Sequence, residues 1–155
     1  MADNIARLDA TARSEDVVKA AQLANAHEMI LRLPEGYDTQ IGEHGCALSA
    51  GQRQRIGLAR ALFGDPVLIV LDEPNANLDS DGEAALTKAI TTSRERGASV
   101  VVIAHRRGPI NVADKLLALV DGAQIAFGPR DEVLASMARA SKSAAAKERF
   151  SVVTS

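Results

Sequence analysis

Two short apolar runs on either side of a helical stretch are the feature that most limits how this chain can fold. The runs, residues 67–71 and 99–104, have the length and composition of strands that are buried on both faces of a parallel sheet. Residues 80–96 between them have a helical pattern, which Gly97 ends. This order predicts a β-α-β unit and therefore an α/β fold with a mainly parallel sheet.

The amino-terminal part of the chain is predicted to be mainly helical. One helical pattern begins at Ser14 and continues to Pro34. A second helix begins after Ser49, which forms a capping-box pattern with Gln52 three residues later. Gly51, in the first turn of that helix, costs about 1 kcal/mol relative to alanine. We therefore expect another group to approach this backbone closely.

The carboxyl-terminal part combines a predicted hairpin with a helix. Residues 115–120 and 123–127 have strand patterns, and the two-residue sequence Asp121-Gly122 between them is typical of a tight turn. A short helix is expected at about residues 129–137. The last residues are small and polar and have little to bury. These patterns divide the chain into a helical region, an α/β core and a mobile tail, over residues 1–66, 67–135 and 136–155.

Composition excludes several classes of function. The 155 residues carry a net charge of -2 and only 3% aromatic residues, which leaves neither a basic surface nor stacking rings for nucleic acid. Cys46 is the only cysteine, so no internal disulfide can form. The longest apolar runs are far shorter than the ~20 residues of a membrane-spanning helix. We expect a reducing, cytoplasmic compartment and a membrane connection only through a partner or further sequence.

Acidic residues and a histidine follow the two predicted strands. Asp72 and Glu73 follow the first strand, and His105 follows the second. The carboxyl ends of parallel strands share one edge of the sheet, which is where ligands bind. There, an aspartate can hold Mg2+, a glutamate can deprotonate water and a histidine can donate a hydrogen bond to a phosphate. The order indicates phosphoryl chemistry, although each residue alone is also consistent with a solvated loop or a structural role.

Together, these segments resemble the ATPase domain of ABC transporters. The chain contains "LSAGQ", which is similar to the signature sequence of that domain, and "VLIVLDEP", which is similar to its Walker B strand. It also contains "NLD", which is similar to the D-loop, and "IAHR", which is similar to the segment with the switch histidine. The chain further resembles type I secretion exporters in the segments "DNIARLDA", "LPEGYDTQIGEHG" and "GPRDEVL". The resemblance covers about residues 2–135. It implies an α/β, partial P-loop NTPase core with a helical signature subdomain.

In this family, two ATPase domains pair head to tail around ATP and Mg2+. The resemblance implies that Glu73 is the general base, that His105 contacts the γ-phosphate and that Asp72 helps to hold Mg2+. It also implies nucleotide contacts across the dimer by Ser49, Ala50, Gly51 and Gln52, with Asp79 linking the two sites. Ala50 stands where the family usually has glycine. The implied partners are a second ATPase domain, a transmembrane exporter domain and secretion proteins at the cytoplasmic face of the inner membrane, with no nucleic acid.

One motif of the family does not occur in this sequence. No Gly-x-x-x-x-Gly-Lys-[Ser/Thr] loop is present, and in the family that loop precedes the position of Met1. The phosphate-loop strand is therefore missing from the expected sheet, and we expect the chain alone to be inactive and prone to aggregate. Two alternatives stay open: a catalytically dead interaction fragment, and the ATPase head of a DNA-repair or chromosome-maintenance protein. ATPases of the second class have long coiled coils, and this sequence has no sustained heptad repeats.

Overall fold

The computed structural model describes residues 1–42, 48–104 and 107–151 of the chain. The described elements belong to two compact units, Met1–Val112 and Ala113–Ser155. The first unit combines helices with a pair of parallel strands, and the second combines a β-hairpin with a helix. The division of the chain into residues 1–66, 67–135 and 136–155 stays a prediction.

The first unit places most of its helices before its strands. Its elements are, in chain order, α1 (Ala2–Ile5), α2 (Ser14–Leu23), α3 (His27–Leu31), a 3-10 turn at Gly36–Asp38, α4 (Ala50–Leu62), β1 (Leu68–Asp72), α5 (Ser80–Glu95), β2 (Ser99–Ile103) and α6 (Arg107–Asn111). Helix α2 packs against α4, and α4 contacts β1. The core between these elements includes Ile5, Ile30, Ile56, Leu58, Leu62 and Leu86.

The single helix predicted between Ser14 and Pro34 is wrong, because the structure divides it into α2 and α3. Asn25 lies between the two helices with a left-handed φ of 52°. The amide of Ala26 donates to the carbonyl of Ala21 at 2.8 Å, which closes the end of α2. Asparagine tolerates this backbone region better than most residues, so it can end a helix within an otherwise helical pattern.

Strands β1 and β2 pair in parallel, from Leu68 opposite Ser99 to Asp72 opposite Ile103. Since α5 connects them, the predicted β-α-β unit is confirmed. Within the described ranges, no other strand pairs with either of them.

The expectation that these strands are buried on both faces is wrong. Ile69 and Leu71 of β1 are buried, whereas the residues that alternate with them are exposed. Successive side chains of a strand point to opposite faces, and only one face of this sheet packs on the helical core. The exposed apolar face of β1 and β2 consists of Leu68, Val70, Val101 and Ile103.

The second unit contains the hairpin that the sequence predicted. Strands β3 (Lys115–Val120) and β4 (Ala123–Pro129) are antiparallel. Asp121 and Gly122 connect them with φ values of 49° and 77°, and positive φ at both turn residues is typical of a type I′ hairpin.

Helix α7 (Arg130–Ser151) follows the hairpin and packs against both of its strands. It continues well beyond residue 137, where the sequence predicted its end. The segment contains no glycine or proline and is rich in alanine, so no residue stops the helix. Whether the tail is mobile stays a prediction. Among the described helices, none combines the length and apolar character that crossing a bilayer requires.

Candidate functional site

The amino end of α4 has the predicted capping box. The amide of Gln52 donates to Ser49 Oγ at 3.3 Å, and the Ser49 amide donates to Gln52 Oε1 at 2.8 Å. Ser49 and Ala50 are exposed, and no acidic residue occupies the first turn of the helix. An anion approaching this end would therefore meet helix amides and the positive end of the helix dipole.

Gly51 faces a segment of the same chain. A Cβ atom at this position would lie 2.9 Å from the carbonyl oxygen of Asn77, which is closer than a normal contact. The close approach that the sequence predicted is therefore made, within this chain, by the backbone that follows β1. The signature-like helix and the segment with the sequence "NLD" are in contact.

The two acidic residues lie at the carboxyl end of β1, where the sequence placed them. Asp72 is the last residue of the strand, and Glu73 follows it with a left-handed φ of 42°. The Glu73 amide donates to the carbonyl of Ile103, the last residue of β2, at 2.8 Å. Both acidic residues are exposed. The ends of the two strands therefore meet at one edge, as predicted, but His105 itself lies outside the described residues, as does Cys46.

Asp79 caps the amino end of α5 and connects this helix to α4. Its Oδ1 accepts from the amide of Gly82 at 2.9 Å as the helix cap, and it pairs with Arg55 Nη2 at 2.6 Å. The Gly82 amide, and then the Arg55 guanidinium, lower the pKa of this carboxyl from its ordinary value. Asp79 is therefore held as an anion beside α4.

Gln54 is not among the site residues that the sequence predicted. Its Nε2 donates to the carbonyl of Glu73 at 2.8 Å, and its Oε1 accepts from the amide of Asn77 at 2.9 Å. Gly51, Gln54 and Arg55 share one face of α4, because residues three and four apart are neighbours on a helix. Their spacing in the sequence could therefore have predicted that these three residues lie together.

The described residues do not by themselves form a metal centre. No cluster of three or more histidine, cysteine, aspartate or glutamate side chains lies close enough among them to hold an ion. Asp72 supplies a single exposed carboxylate. One carboxylate suits Mg2+ that takes its other ligands from water and substrate phosphates, so the residue fits the predicted role without a protein cage.

The capped end of α4 and the carboxylates at the end of β1 thus belong to one α/β unit. The family model described as "ABC transporter" matches residues 2–76. A solved structure of a bacterial Atm1-family ABC exporter with ATP bound is similar over 87% of this chain, with a TM-score of 0.79 and 32% identity.

Two relatives are ATP-binding proteins of secretion systems. The type I secretion system ATP-binding protein PrsD of Rhizobium meliloti (strain 1021) is 52% identical over 139 residues, which is 90% of this chain and 24% of PrsD. The cyclolysin secretion/processing ATP-binding protein CyaB of Bordetella pertussis (strain Tohama I) is 42% identical over 134 residues, which is 86% of this chain and 19% of CyaB.

The chain corresponds to part of an ABC transporter ATP-binding domain. Proteins of type I secretion systems are among its relatives, as the sequence predicted. The chain spans about a quarter or less of the length of PrsD, CyaB and the solved exporter. The expected family and fold class are thereby confirmed.

Proposed function

We propose that this chain is a segment of the ATP-hydrolysing subunit of a type I protein secretion exporter. In this proposal it powers transport by closing, with a second ATPase domain, around ATP and Mg2+. The observation that carries the proposal is the contact between α4 and the segment after β1, because that contact joins the predicted phosphate-binding helix end to the predicted base. Exporters among the relatives favour this function over a DNA-repair ATPase.

The amino end of α4 would bind the γ-phosphate of ATP held by the opposite domain. Ser49 is exposed there, and its hydroxyl and the first-turn amides suit an anionic oxygen. Ala50 and Gln52 lie in the same turn. The capping box keeps this end ordered before ATP arrives, so less entropy is lost on binding.

The strand-end acids would act at the other of the two ATP sites. Glu73 would take a proton from the attacking water, and His105 would donate a hydrogen bond to the γ-phosphate. Mg2+, held in part by Asp72, would supply positive charge to the phosphate oxygens. Asp79, fixed by Arg55 and by its cap on α5, would contact the opposite domain and relate the two sites.

The remaining parts of the site would come from outside this sequence. The phosphate-binding loop does not occur here, so we expect the chain alone to bind ATP weakly and to hydrolyse almost none. A transmembrane exporter domain and secretion partners would place it at the cytoplasmic face of the inner membrane. Nucleic acid is not expected as a partner.

A chimera tests this function. The chain replaces the matched 139 residues of PrsD, and ATP turnover is measured in the purified chimera with and without Glu73→Gln. We expect the variant to bind ATP and to associate, whereas turnover falls by about 10²–10⁴-fold, the usual contribution of a general base.

Glu95→Gln is the matched control, because Glu95 is an exposed residue at the end of α5. Its turnover should equal that of the unmodified chimera. Unchanged turnover in Glu73→Gln would exclude Glu73 as the base. A chimera with the unmodified sequence that binds ATP but does not hydrolyse it would instead support the catalytically dead interaction fragment.

A further inference from the structure

The side chain of Gln54 connects two main-chain positions that lie on either side of a short turn. It donates to the Glu73 carbonyl at 2.8 Å and accepts from the Asn77 amide at 2.9 Å. The carboxamide uses its donor and its acceptor at the same time, so its orientation is fixed by both contacts. A helix residue thus holds the segment that begins with the proposed base.

The backbone of Glu73 requires such support. Its φ of 42° lies in the left-handed region, which is unfavourable for a residue with a side chain and persists only where the surroundings enforce it. The Glu73 amide donates to Ile103, and its carbonyl accepts from the Ala76 amide at 3.1 Å as well as from Gln54. Three contacts therefore fix the peptide groups on both sides of this Cα.

Two further contacts of α4 reach the same segment. Gly51 lies against the Asn77 carbonyl, and Arg55 pairs with Asp79. Gln54 lies between these residues on the helix, and its side chain donates directly to the Glu73 carbonyl. A displacement of α4 would therefore move the Glu73 carbonyl through the Gln54 side chain.

We propose that Gln54 is a positioning residue, which sets the backbone conformation of Glu73 and couples it to the amino end of α4 through its hydrogen bonds to Glu73 and Asn77. The inference rests on the proposed role of Glu73 as the base. In that assembly, α4 contacts the ATP of one site while Glu73 acts at the other. Gln54 then links the two sites within one chain.

Two substitutions separate the two hydrogen bonds. Gln54→Met keeps the length of the side chain and removes both. Gln54→Glu keeps an acceptor for the Asn77 amide but loses the donor to the Glu73 carbonyl. Gln22→Met is the control, since Gln22 is an exposed residue of α2.

Amide hydrogen exchange in the full 155-residue chain tests the structural part. We expect the Asn77 amide to exchange about three- to tenfold faster in Gln54→Met, the change that one typical hydrogen bond supports. Gln54→Glu and Gln22→Met should leave it within about twofold of the unmodified chain. The Ser49 amide, which is bonded to Gln52, should not change in any of them. An unchanged Asn77 amide in Gln54→Met would overturn the inference.

Turnover in the PrsD chimera tests the catalytic part. We expect kcat to fall about 10- to 100-fold in both Gln54 variants, with the KM for ATP within about twofold, because misplacing a catalytic group by a small distance has costs of this size. Added to Glu73→Gln, Gln54→Met should cause no further fall, since Gln54 acts through Glu73. A merely structural defect would lower turnover in both backgrounds.

Failure of the proposed function can be distinguished from failure of the inference about Gln54. An unmodified chimera that does not hydrolyse ATP overturns the proposed function and this inference with it. An active chimera in which Gln54→Met and Gln54→Glu leave kcat unchanged, or lower it equally with and without Glu73, overturns the inference alone.

Discussion

Gly51 occupies a first-turn position where the absence of a side chain is required by the chain itself. The Cβ atom of any other residue would lie 2.9 Å from the carbonyl oxygen of Asn77. That neighbour is backbone and cannot rotate away as a side chain would. The helix-forming cost of glycine at this position is therefore offset by contact with the segment that follows β1.

Substitution of Gly51 by alanine should destabilise the chain. The added methyl group must displace α4 or the Asn77 backbone, and overpacking of this kind costs about 1–3 kcal/mol. Urea unfolding followed by circular dichroism measures the change.

Gly57→Ala provides the matched control in the same helix. A Cβ atom at Gly57 meets nothing within 4 Å, so the better helix propensity of alanine should raise the free energy of unfolding by about 0.5–1 kcal/mol. Equal effects of the two substitutions would contradict the role given to the Asn77 contact.

At the scale of elements, side-chain hydrogen bonds fix α4 at both of its ends. The capping box closes its amino end, and Arg7 closes its carboxyl end by donating to the carbonyls of Arg60, Ala61 and Phe63. The last carbonyls of a helix lack partners within the helix, and a cation there also complements the helix dipole. The helix that carries Gln54 is thereby tied to the chain before α2.

Replacement of Arg7 by methionine should lower the free energy of unfolding by about 1–2 kcal/mol, because three carbonyls lose a charged donor. Thermal unfolding measures this. Arg13→Met is the comparison, since Arg13 makes an exposed pair with Asp16 and such pairs contribute little to stability. A larger loss in Arg13→Met would contradict the capping role of Arg7.

Asp65, in the turn after α4, pairs with Lys19 of α2 and with Arg96 at the end of α5. The hydrogen bond from Lys19, with the charge of Arg96, lowers its pKa from the ordinary value of 3.8. A lowered pKa in the folded state means that the carboxylate stabilises the fold fully above pH 3.8, and that this contribution disappears as pH falls through the folded-state pKa.

Asp65→Asn should therefore be less stable than the unmodified chain at neutral pH, by less than about 1 kcal/mol because the pair is half-exposed. Asparagine tolerates the left-handed φ of 47° at this position, so the charge alone changes. The difference in unfolding free energy should shrink below pH 3.8 and in high salt. A difference that does not depend on pH would contradict the electrostatic origin.

At the scale of the whole molecule, the exposed apolar face of β1 and β2 distinguishes this chain from an ordinary stable domain. Val70 and Val101 are 58% and 50% exposed in adjacent strands. Apolar patches and open strand edges of this kind promote association.

We expect the isolated chain to self-associate and the double substitution Val70→Thr/Val101→Thr to reduce this, measured by light scattering during size-exclusion chromatography. Ile69→Thr, on the buried face of β1, should instead destabilise the chain without reducing association. A monodisperse monomer of the unmodified chain with sharp, cooperative thermal unfolding would contradict the expectation.

The sequence predicted several elements correctly where the local pattern agreed with a start or stop signal. Helix α5 before Gly97 and the turn at Asp121 and Gly122 are examples. It did not predict the break at Asn25, because a single left-handed residue leaves the helical pattern around it unchanged. It also misjudged β1, because an apolar run does not reveal how many of its faces find a partner.

Prediction of the site has the same physical limit. The cap between Ser49 and Gln52 depends on residues three apart and can be inferred from local spacing. The contact of Gln54 with Glu73 joins residues 19 apart and depends on how α4 packs against the end of β1. Local patterns do not encode such packing.

The bridge that Gln54 makes also has a consequence for how sequences of this kind can change. One carboxamide bonds to both ends of the turn from Glu73 to Asn77. The length of this turn is therefore constrained, as well as the identity of the residue at position 54. An insertion or deletion in this turn would leave Gln54 able to make only one of its two hydrogen bonds, whereas replacement of an intervening residue leaves the length of the turn unchanged.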